Sequence, residues 1–197
     1  CHAGNSYLSD DINGSFEKIV TTIRQCIDIC ASHGFQISEI NFGGGYGVPY
    51  TVHDKPFDWS KWADVIKTNI DTTDICVSIE PGDYIIKSSG IILSNINTIE
   101  EKDGYSFLGL GVGMNLNAMP AYYNIMSLPM PLRLRPGASK SFTVVGNLNE
   151  SIDVWANDLE MTPVRVGDYI ALLNSGGYSE SCQSNHSLRT TYNKILL

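Results

Sequence analysis

The residue pattern changes character about halfway along this chain of 197 residues, and that change restricts the folds open to it. The first half alternates amphipathic helices, predicted at Ser15–His33 and Trp59–Ile70, with short apolar strands at Gln36–Phe42 and Ile75–Ile79. The helices are predicted because apolar residues recur with the helical period of about 3.6 residues. Such β/α repetition predicts parallel strands with functional residues at their carboxyl ends.

The second half is composed of strand-like segments separated by Gly, Pro, Asn and Asp, a pattern typical of a β-sandwich or β-barrel. The predicted strands are Ile85–Ile99, Tyr105–Val112, Leu132–Leu134, Ser141–Val145 and Tyr169–Leu173. The first of these is long enough to be one bent strand or two strands. We place the boundary between an α/β domain, residues 1–95, and an all-β domain, residues 96–197.

The first half contains too few β/α units for a closed barrel. It supplies about three, whereas a (β/α) barrel of the TIM type needs about eight. An isolated partial barrel would leave unpaired strand edges. We therefore expect the C-terminal part of a (β/α)8 barrel, from a longer chain or from one half of a split protein.

Composition excludes several classes of protein. A formal charge of −8 argues against a nucleic-acid or anionic-membrane partner. No apolar run is long enough for a membrane span, and no basic-then-apolar start directs export, so we expect a cytoplasmic protein. The five cysteines are an odd number without CxxC pairs, which predicts reduced thiols and no metal site.

Three consecutive glycines, Gly43, Gly44 and Gly45, follow the apolar run Ile37–Ile40. Glycine adopts positive φ readily and leaves backbone N–H groups uncovered, so a run of this kind after a strand can cradle a phosphate. A tight turn is the alternative interpretation. The flanking motifs, His2-Ala3-Gly4 before the run and Glu80-Pro81-Gly82 after it, favour the phosphate loop.

Together these motifs resemble the fold-type III pyridoxal-phosphate decarboxylases, which include the diaminopimelate, ornithine and arginine decarboxylases. The resemblance covers essentially the whole chain, and the motifs occur in the family's order. That family has a (β/α)8 barrel of the alanine-racemase type followed by a β domain. The resemblance therefore implies that residues 1–95 belong to the barrel and residues 96–197 to the decarboxylase β domain.

The resemblance also implies roles for individual residues around pyridoxal 5'-phosphate. His2 would stack on the cofactor ring, and Gly43–Gly45 would hold its phosphate together with Tyr178. Glu80 would keep the ring nitrogen protonated, which strengthens the cofactor as an electron sink. Further cofactor contacts are implied for Asn5, Gly82 and Asp83.

The chain departs from the family at several of these positions. Asn149, followed by Glu150, falls where the family has a cysteine thought to protonate the substrate carbanion from the neighbouring subunit. An amide cannot act as a thiol acid, so another donor or water replaces the cysteine, or the later chemistry differs. Cys182 is one alternative donor. Asp83 replaces an arginine near the phosphate, and Asn5 replaces a serine.

The segment that contacts the far end of the substrate in the family also differs from the family's pattern. Gly111 offers no acidic group for a distal amine, and Met119 replaces the arginine that would bind a distal carboxylate. We therefore expect a substrate other than diaminopimelate or ornithine, namely an atypical or carrier-linked amino acid.

No lysine in the chain is recognisable as the one that carries the cofactor, which in the family lies on an earlier barrel strand. We expect an upstream segment, in the same or a separate chain, to supply it, and a homodimer with shared active sites. Two other hypotheses remain open. One is a catalytically inactive homologue with a binding or regulatory role; the other is a pyridoxal-phosphate enzyme that acts at Cα without decarboxylation.

Overall fold

The computed structural model describes residues 1–51, 53–125, 127–189 and 191–196. It divides the chain into two compact units, Cys1–Ile85 and Ile86–Leu197. The predicted boundary after residue 95 would cut through a strand, Ile92–Lys102, that lies wholly in the second unit. The assignment of residues 1–95 and 96–197 to two domains stays a prediction.

The first unit contains the predicted alternation of helices and parallel strands. Its elements are α1 (Glu17–Ser32), β1 (Glu39–Asn41), α2 (Trp59–Asn69) and β2 (Cys76–Ser78), followed at the junction by α3 (Asp83–Ile86). A short π-helical segment, Ile12–Phe16, leads into α1. β1 and β2 pair in parallel, with Ile40 opposite Val77, which confirms the predicted β/α arrangement. Both strands are shorter than predicted.

An aromatic cluster fixes the start of the glycine loop. Phe42, which directly follows β1, is 3% exposed and packs against Phe16 and Trp62, with ring centroids 5.6 and 5.8 Å away. Val20 of α1 and Ile66 of α2 are buried in the same core. Because closely packed rings have few alternative arrangements, the backbone enters the loop from a well-defined position.

The second unit is a six-stranded mixed sheet in the order β5-β8-β3-β4-β6-β7. Its strands are β3 (Ile92–Lys102), β4 (Tyr105–Leu110), β5 (Leu128–Pro131), β6 (Lys140–Val145), β7 (Val154–Met161) and β8 (Tyr169–Leu173), with a short helix, α4 (Met119–Tyr123), before β5. β4 and β6 are parallel, and the remaining neighbours are antiparallel. The outermost strands, β5 and β7, contact each other, so the sheet curls towards a barrel around a core that includes Ile96, Leu108 and Trp155.

Two of the predicted strands are wrong in position. The start of Ile85–Ile99 is helical, as part of α3 and a 3-10 turn at Lys87–Ser89, and the strand begins only at Ile92. The predicted strand Leu132–Leu134 lies after β5, and its two leucines are 57% and 75% exposed. Pairing with β8 decides the position of β5, since its last residue in register is Pro131, opposite Ile170.

Two elements were not predicted at all, β7 and α4. Polar residues interrupt the alternation of apolar residues in β7, whose burial follows no strict two-residue period. Its pairing with β6 also contains register shifts around Val144. A bulged strand breaks the in-out alternation on which strand prediction depends.

Candidate functional site

The glycine loop lies in close contact with two other segments of the first unit. A Cβ atom on Gly43 would lie 2.1 Å from the Cys1 carbonyl oxygen, and one on Gly44 would lie 2.6 Å from the Glu80 carbonyl oxygen. Gly45 has φ +92°, and its Cβ would lie 2.2 Å from the Gly4 oxygen. Only glycine fits at these positions, because any side chain would collide with backbone.

The N–H groups of this loop divide into two pairs. The Gly43 N–H donates to Asn41 Oδ1 at 2.7 Å, and the Gly44 N–H donates to His2 Nδ1 at 3.3 Å. In the described part of the chain, the N–H groups of Gly45 and Tyr46 have no hydrogen-bond partner. Two adjacent unsatisfied N–H groups beside a glycine cradle suit an anion such as a phosphate.

Asn41 connects the loop to Glu80. Its Oδ1 accepts the Gly43 N–H, and its Nδ2 donates to Glu80 Oε1, both at 2.7 Å. The Glu80 N–H in turn donates to the Gly43 carbonyl at 2.8 Å. Among the described residues Glu80 Oε2 has no partner, so one carboxylate oxygen is held while the other is available.

His2 has a fixed orientation next to the loop. Since its Nδ1 accepts the Gly44 N–H, the neutral ring carries its proton on Nε2. The His2 side chain is exposed, as an imidazole would have to be to lie against a ring. The predicted role of this residue is compatible with its position in the first unit.

Two buried hydroxyl groups lie close together near the start of the chain. Ser6 Oγ and Tyr50 Oη are both buried, and neither makes a hydrogen bond of good geometry among the described residues. Burial raises the pKa of Tyr50 to about 12; the nearby Ser6 hydroxyl opposes this shift, and the Asp83 carboxylate adds to it. Asp83 itself is 8% exposed and is the first residue of α3. A hydroxyl that lacks a partner is suited to a phosphate oxygen.

The groups of the first unit fit pyridoxal 5'-phosphate at two points. The free N–H groups of Gly45 and Tyr46 suit its phosphate, and Glu80 Oε2 suits its protonated ring nitrogen. Asn5 has an exposed side chain, and Gly82 lies between Glu80 and α3. Their predicted contacts, and that of Asp83, stay predictions.

In the second unit, the loop 146–153 is organised by one buried carboxylate. Asp153 is 3% exposed; its Oδ1 accepts the Met114 N–H at 2.8 Å and its Oδ2 accepts the Leu148 N–H at 2.9 Å. Burial raises the pKa of Asp153, and these hydrogen bonds and nearby His186 oppose the rise. A Cβ on Gly146 would lie 2.2 Å from the Asp153 carboxylate, so the loop closes tightly around it.

Asn149 and Glu150 lie at the exposed tip of this loop. Asn149 lines an open cavity of about 1060 Å³ together with Asn147, Ser187 and Arg189. Glu150 Oε1 lies 2.9 Å from His186 Nε2. Arg189 donates to the Asn147 carbonyl at 3.0 Å, so the segment that carries His186 is attached to the loop at two points.

Tyr178 and Cys182 belong to one turn near the end of the chain. Tyr178 is 47% exposed, with φ +60°, and its carbonyl accepts the Cys182 N–H at 3.0 Å. The side chain is therefore accessible, and its phosphate contact stays a prediction.

The two positions that differ in the substrate-reading segment have defined surroundings. A Cβ on Gly111 would lie 2.5 Å from Asn95 Oδ1, so a side chain there would displace the Asn95 amide. Met119 is 6% exposed at the start of α4. Neither position offers a charge.

The structure thus brings together His2, Gly43–Gly45 and Glu80 in the first unit, and Asn149 with Glu150 in the second. No individual role is predicted from the sequence for Asn41 or for His186, although the segment Asn185–Arg189 resembles the family's dimer-edge segment after the phosphate tyrosine. The sequence feature that could have pointed to Asn41 is its amide side chain at a strand end just before the glycine run. The feature that could have pointed to His186 is its position shortly after Tyr178.

A membrane-spanning helix, a metal site and a disulfide each place requirements on the described residues. None of their helices has the length and hydrophobicity needed to cross a membrane. They contain no cluster of histidine, cysteine and acidic side chains arranged to hold a metal ion. Their five cysteines are all free thiols.

Two family models match the chain. Residues 1–87 match the pyridoxal-binding domain of the pyridoxal-dependent decarboxylases, and residues 70–176 match the C-terminal sheet domain of the same family. A diaminopimelate decarboxylase from Aquifex aeolicus is 26% identical over 100% of this chain and 46% of its own length. One from Methanothermobacter thermautotrophicus is 31% identical over 92% of this chain and 45% of its own length.

The solved structure of the diaminopimelate decarboxylase from Methanocaldococcus jannaschii superposes on this chain with a TM-score of 0.78 at 26% identity. The superposition covers 96% of this chain and 44% of that one. The chain therefore spans less than half the length of the relatives that it matches. The fold is that of a (β/α) barrel fragment followed by a sheet domain, as predicted.

Proposed function

Because this chain belongs to the pyridoxal-dependent decarboxylase family, we propose that the protein removes the α-carboxylate of an amino acid with the help of pyridoxal 5'-phosphate. When bound, the cofactor accepts the electron pair left on the substrate as CO2 departs. The observation that carries the proposal is the Asn41 side chain, which joins the anion-binding loop to Glu80 through two hydrogen bonds of 2.7 Å.

The residues of the first unit have distinct roles in this proposal. The N–H groups of Gly45 and Tyr46, together with the Ser6 hydroxyl, bind the phosphate. Glu80 holds a proton on the ring nitrogen through Oε2, and His2 orients the ring. Since no lysine of the chain is assigned to the cofactor, an upstream segment of the same or a separate chain supplies it.

Further cofactor contacts are proposed for Asn5, Gly82, Asp83 and Tyr178. Glu150 and Asn149 act on the substrate side, in the active site of a neighbouring subunit of a homodimer. The exposed position of both at a loop tip supports a role at an interface of this kind. The five free thiols support a reducing compartment such as the cytoplasm.

We further propose that the substrate is an atypical or carrier-linked amino acid rather than diaminopimelate or ornithine. Gly111 has no side chain, and Met119 is buried and uncharged. Neither residue can bind a charged group at the substrate's far end. The names of the relatives make diaminopimelate the reference compound for any test.

The decisive experiment combines cofactor mapping with a carboxylate-labelled substrate panel. Borohydride reduction of the purified native protein, followed by peptide mass spectrometry, is expected to label a lysine upstream of Cys1 or on a partner chain. Release of labelled CO2 is then measured for diaminopimelate, ornithine, arginine, lysine and their carrier-linked derivatives. Absence of both label and CO2 would favour an inactive homologue, and a label without CO2 would favour other chemistry at Cα.

A variant pair tests the role of Glu80 itself. Glu80→Gln removes the charge at the ring nitrogen and is expected to slow CO2 release by about 100-fold or more, while bound cofactor remains detectable. Glu39→Gln, a carboxylate change on the neighbouring strand β1, is expected to leave the rate within about twofold. Equal rates for the two variants would contradict the assignment of Glu80. Efficient turnover of diaminopimelate by the unchanged protein would contradict the substrate proposal.

A further inference from the structure

The position of the missing acid is occupied by an amide, yet an imidazole lies beside it. Asn149 has no acidic proton near neutral pH, so it cannot deliver one to a carbanion. His186 Nε2 lies 2.9 Å from Oε1 of Glu150, the residue directly after Asn149. We propose that His186, held by Glu150, is the catalytic residue that donates the proton in place of the family's cysteine.

The geometry leaves the second ring nitrogen of His186 available. Nε2 is used by Glu150, whereas Nδ1 makes no hydrogen bond within the described ranges. The His186 side chain is 32% exposed, so Nδ1 can be reached from outside the loop. Its neighbour Ser187 lines the same open cavity as Asn149, so His186 and Glu150 each directly adjoin, in sequence, a residue of the cavity wall.

Charged groups of both signs lie around His186. Two carboxylates face it: Glu150, in direct contact, and buried Asp153, whose rise in pKa the imidazole opposes. The cation on the same segment is Arg189, whose guanidinium donates to the Asn147 carbonyl. An imidazolium in such a position can donate a proton to a stronger base such as a carbanion.

The backbone next to His186 is unusually constrained. Ser187 and Leu188 both have positive φ, +54° and +51°, although neither is a glycine. Consecutive left-handed non-glycine residues are unfavourable and persist only where surrounding contacts impose them. Here the contacts from Glu150 to His186 and from Arg189 to Asn147 flank the strained pair on both sides.

The proton balance of the step is simple. After CO2 leaves, the Nδ1–H bond of the imidazolium breaks and a C–H bond forms at the substrate Cα. His186 is left neutral, with its Nε2–H still donated to Glu150, and a solvent proton restores the imidazolium. No oxidant or further reactant is needed. This inference rests on the proposed decarboxylase function.

The test uses the native protein with its cofactor and the substrate that releases CO2 most rapidly. In His186→Gln, formation of the amine product is expected to fall by about 100-fold. The ratio of carbonyl by-product to amine, which rises when Cα is not protonated in time, is expected to increase at least about tenfold. His33→Gln, an exposed histidine at the end of α1, is the matched control and should leave both values unchanged.

A second readout does not depend on turnover. The 15N chemical shifts of the His186 ring are measured by NMR in the wild-type protein and in Glu150→Gln without substrate. The Nε2 chemical shift is expected to change in the variant, because the carboxylate that lies 2.9 Å from this atom is gone. Near-UV circular dichroism verifies that each variant is folded. If His186→Gln does not fold, Glu150→Gln is used for the product ratio, which should rise in the same direction.

The outcomes separate the two proposals. A wild-type protein that releases no CO2 overturns the proposed function and, with it, the donor role. A wild-type protein that is active while folded His186→Gln keeps the wild-type product ratio overturns the donor role alone. An unchanged Nε2 chemical shift in Glu150→Gln also overturns it, and a rise in by-product confined to Cys182→Ser would assign the proton to that thiol.

Discussion

At the scale of single residues, the same amino acid serves different purposes at different positions. Gly34 has φ +82° at the end of α1, yet nothing lies within 4 Å of where its Cβ would be. At Gly45, φ is +92° and an added Cβ would lie 2.2 Å from the Gly4 carbonyl oxygen. The first glycine is required by backbone conformation alone, whereas the second is required by conformation and by space.

A pair of alanine variants separates these two requirements. Gly34→Ala is expected to lower the free energy of unfolding by about 1–2 kcal/mol, through left-handed strain, and to leave cofactor affinity unchanged. Gly45→Ala must also displace the segment around Gly4, so the affinity for pyridoxal phosphate should fall more than about tenfold. Absorbance titration and urea denaturation give the two values. Equal affinities for both variants would contradict the role of the loop.

Asn41 allows a sharper test, because one atom changes. Asn41→Asp keeps an acceptor for the Gly43 N–H but replaces the donor to Glu80 Oε1 with a second carboxylate oxygen. The repulsion should separate Glu80 from the loop and weaken cofactor binding by about tenfold or more at neutral pH. The loss should shrink when one carboxyl is protonated at low pH. Asn69→Asp, an amide change in the last turn of α2, serves as the control.

Local sequence motifs identify some residues of the site and miss others. The glycine run and Glu80 were recognisable because glycine tolerance and a strand-end carboxylate are local properties. The function of Asn41 depends on β1 and β2 being paired, since its partner is 39 positions away. The contact between Glu150 and His186 likewise joins residues 36 positions apart, so no local pattern reports it.

At the scale of elements, loops rather than helices or strands determine where the candidate groups lie. The loop 146–153 has no regular hydrogen-bond ladder, so Asp153 supplies its order by accepting the Met114 and Leu148 N–H groups. Regular periods predicted α1, α2, β4, β6 and β8 well. They failed for β7, where register shifts break the alternation, and for β5, whose position depends on pairing with β8.

Asp153→Asn tests the order of this loop. The amide nitrogen is a donor, so one of the two N–H groups would face another donor in a site that is 3% exposed. The expected loss in the free energy of unfolding is about 1–3 kcal/mol. Urea denaturation measures it, and Asp158→Asn, on the exposed side of β7, is the control. A variant as stable as the wild type would show that the loop does not depend on this carboxylate.

At the scale of the whole molecule, the chain consists of two units with separate cores. In the second unit, an ion pair links the segment after β5 to the residue just before β8. Arg135 contacts both oxygens of Asp168, with Nη2 2.8 Å from Oδ1, and the two side chains are 16% and 13% exposed. The Arg135 hydrogen bond is the main reason that the pKa of Asp168 falls to about 2.

This ion pair predicts a dependence of stability on pH. Because the folded-state pKa lies below the unfolded value of about 3.9, the ionised carboxylate stabilises the folded protein at any pH above that value. The stabilisation is lost as the pH falls from about 4 towards about 2. Asp168→Asn should therefore be less stable than the wild type at pH 7, and the difference should shrink at low pH. Urea denaturation at several pH values measures this, and a difference that is independent of pH would contradict it.

The amide of Asn41 has a consequence for the choice of cofactor. By holding the glycine loop and Glu80 at one fixed separation, it makes binding selective for the length of the ligand. A molecule whose anionic group and basic nitrogen match that separation contacts the loop and Glu80 at once, whereas one that is too short, too long or unphosphorylated contacts only one of them. Selectivity for a whole cofactor over its fragments would then come from a single side chain that need not contact the cofactor at all.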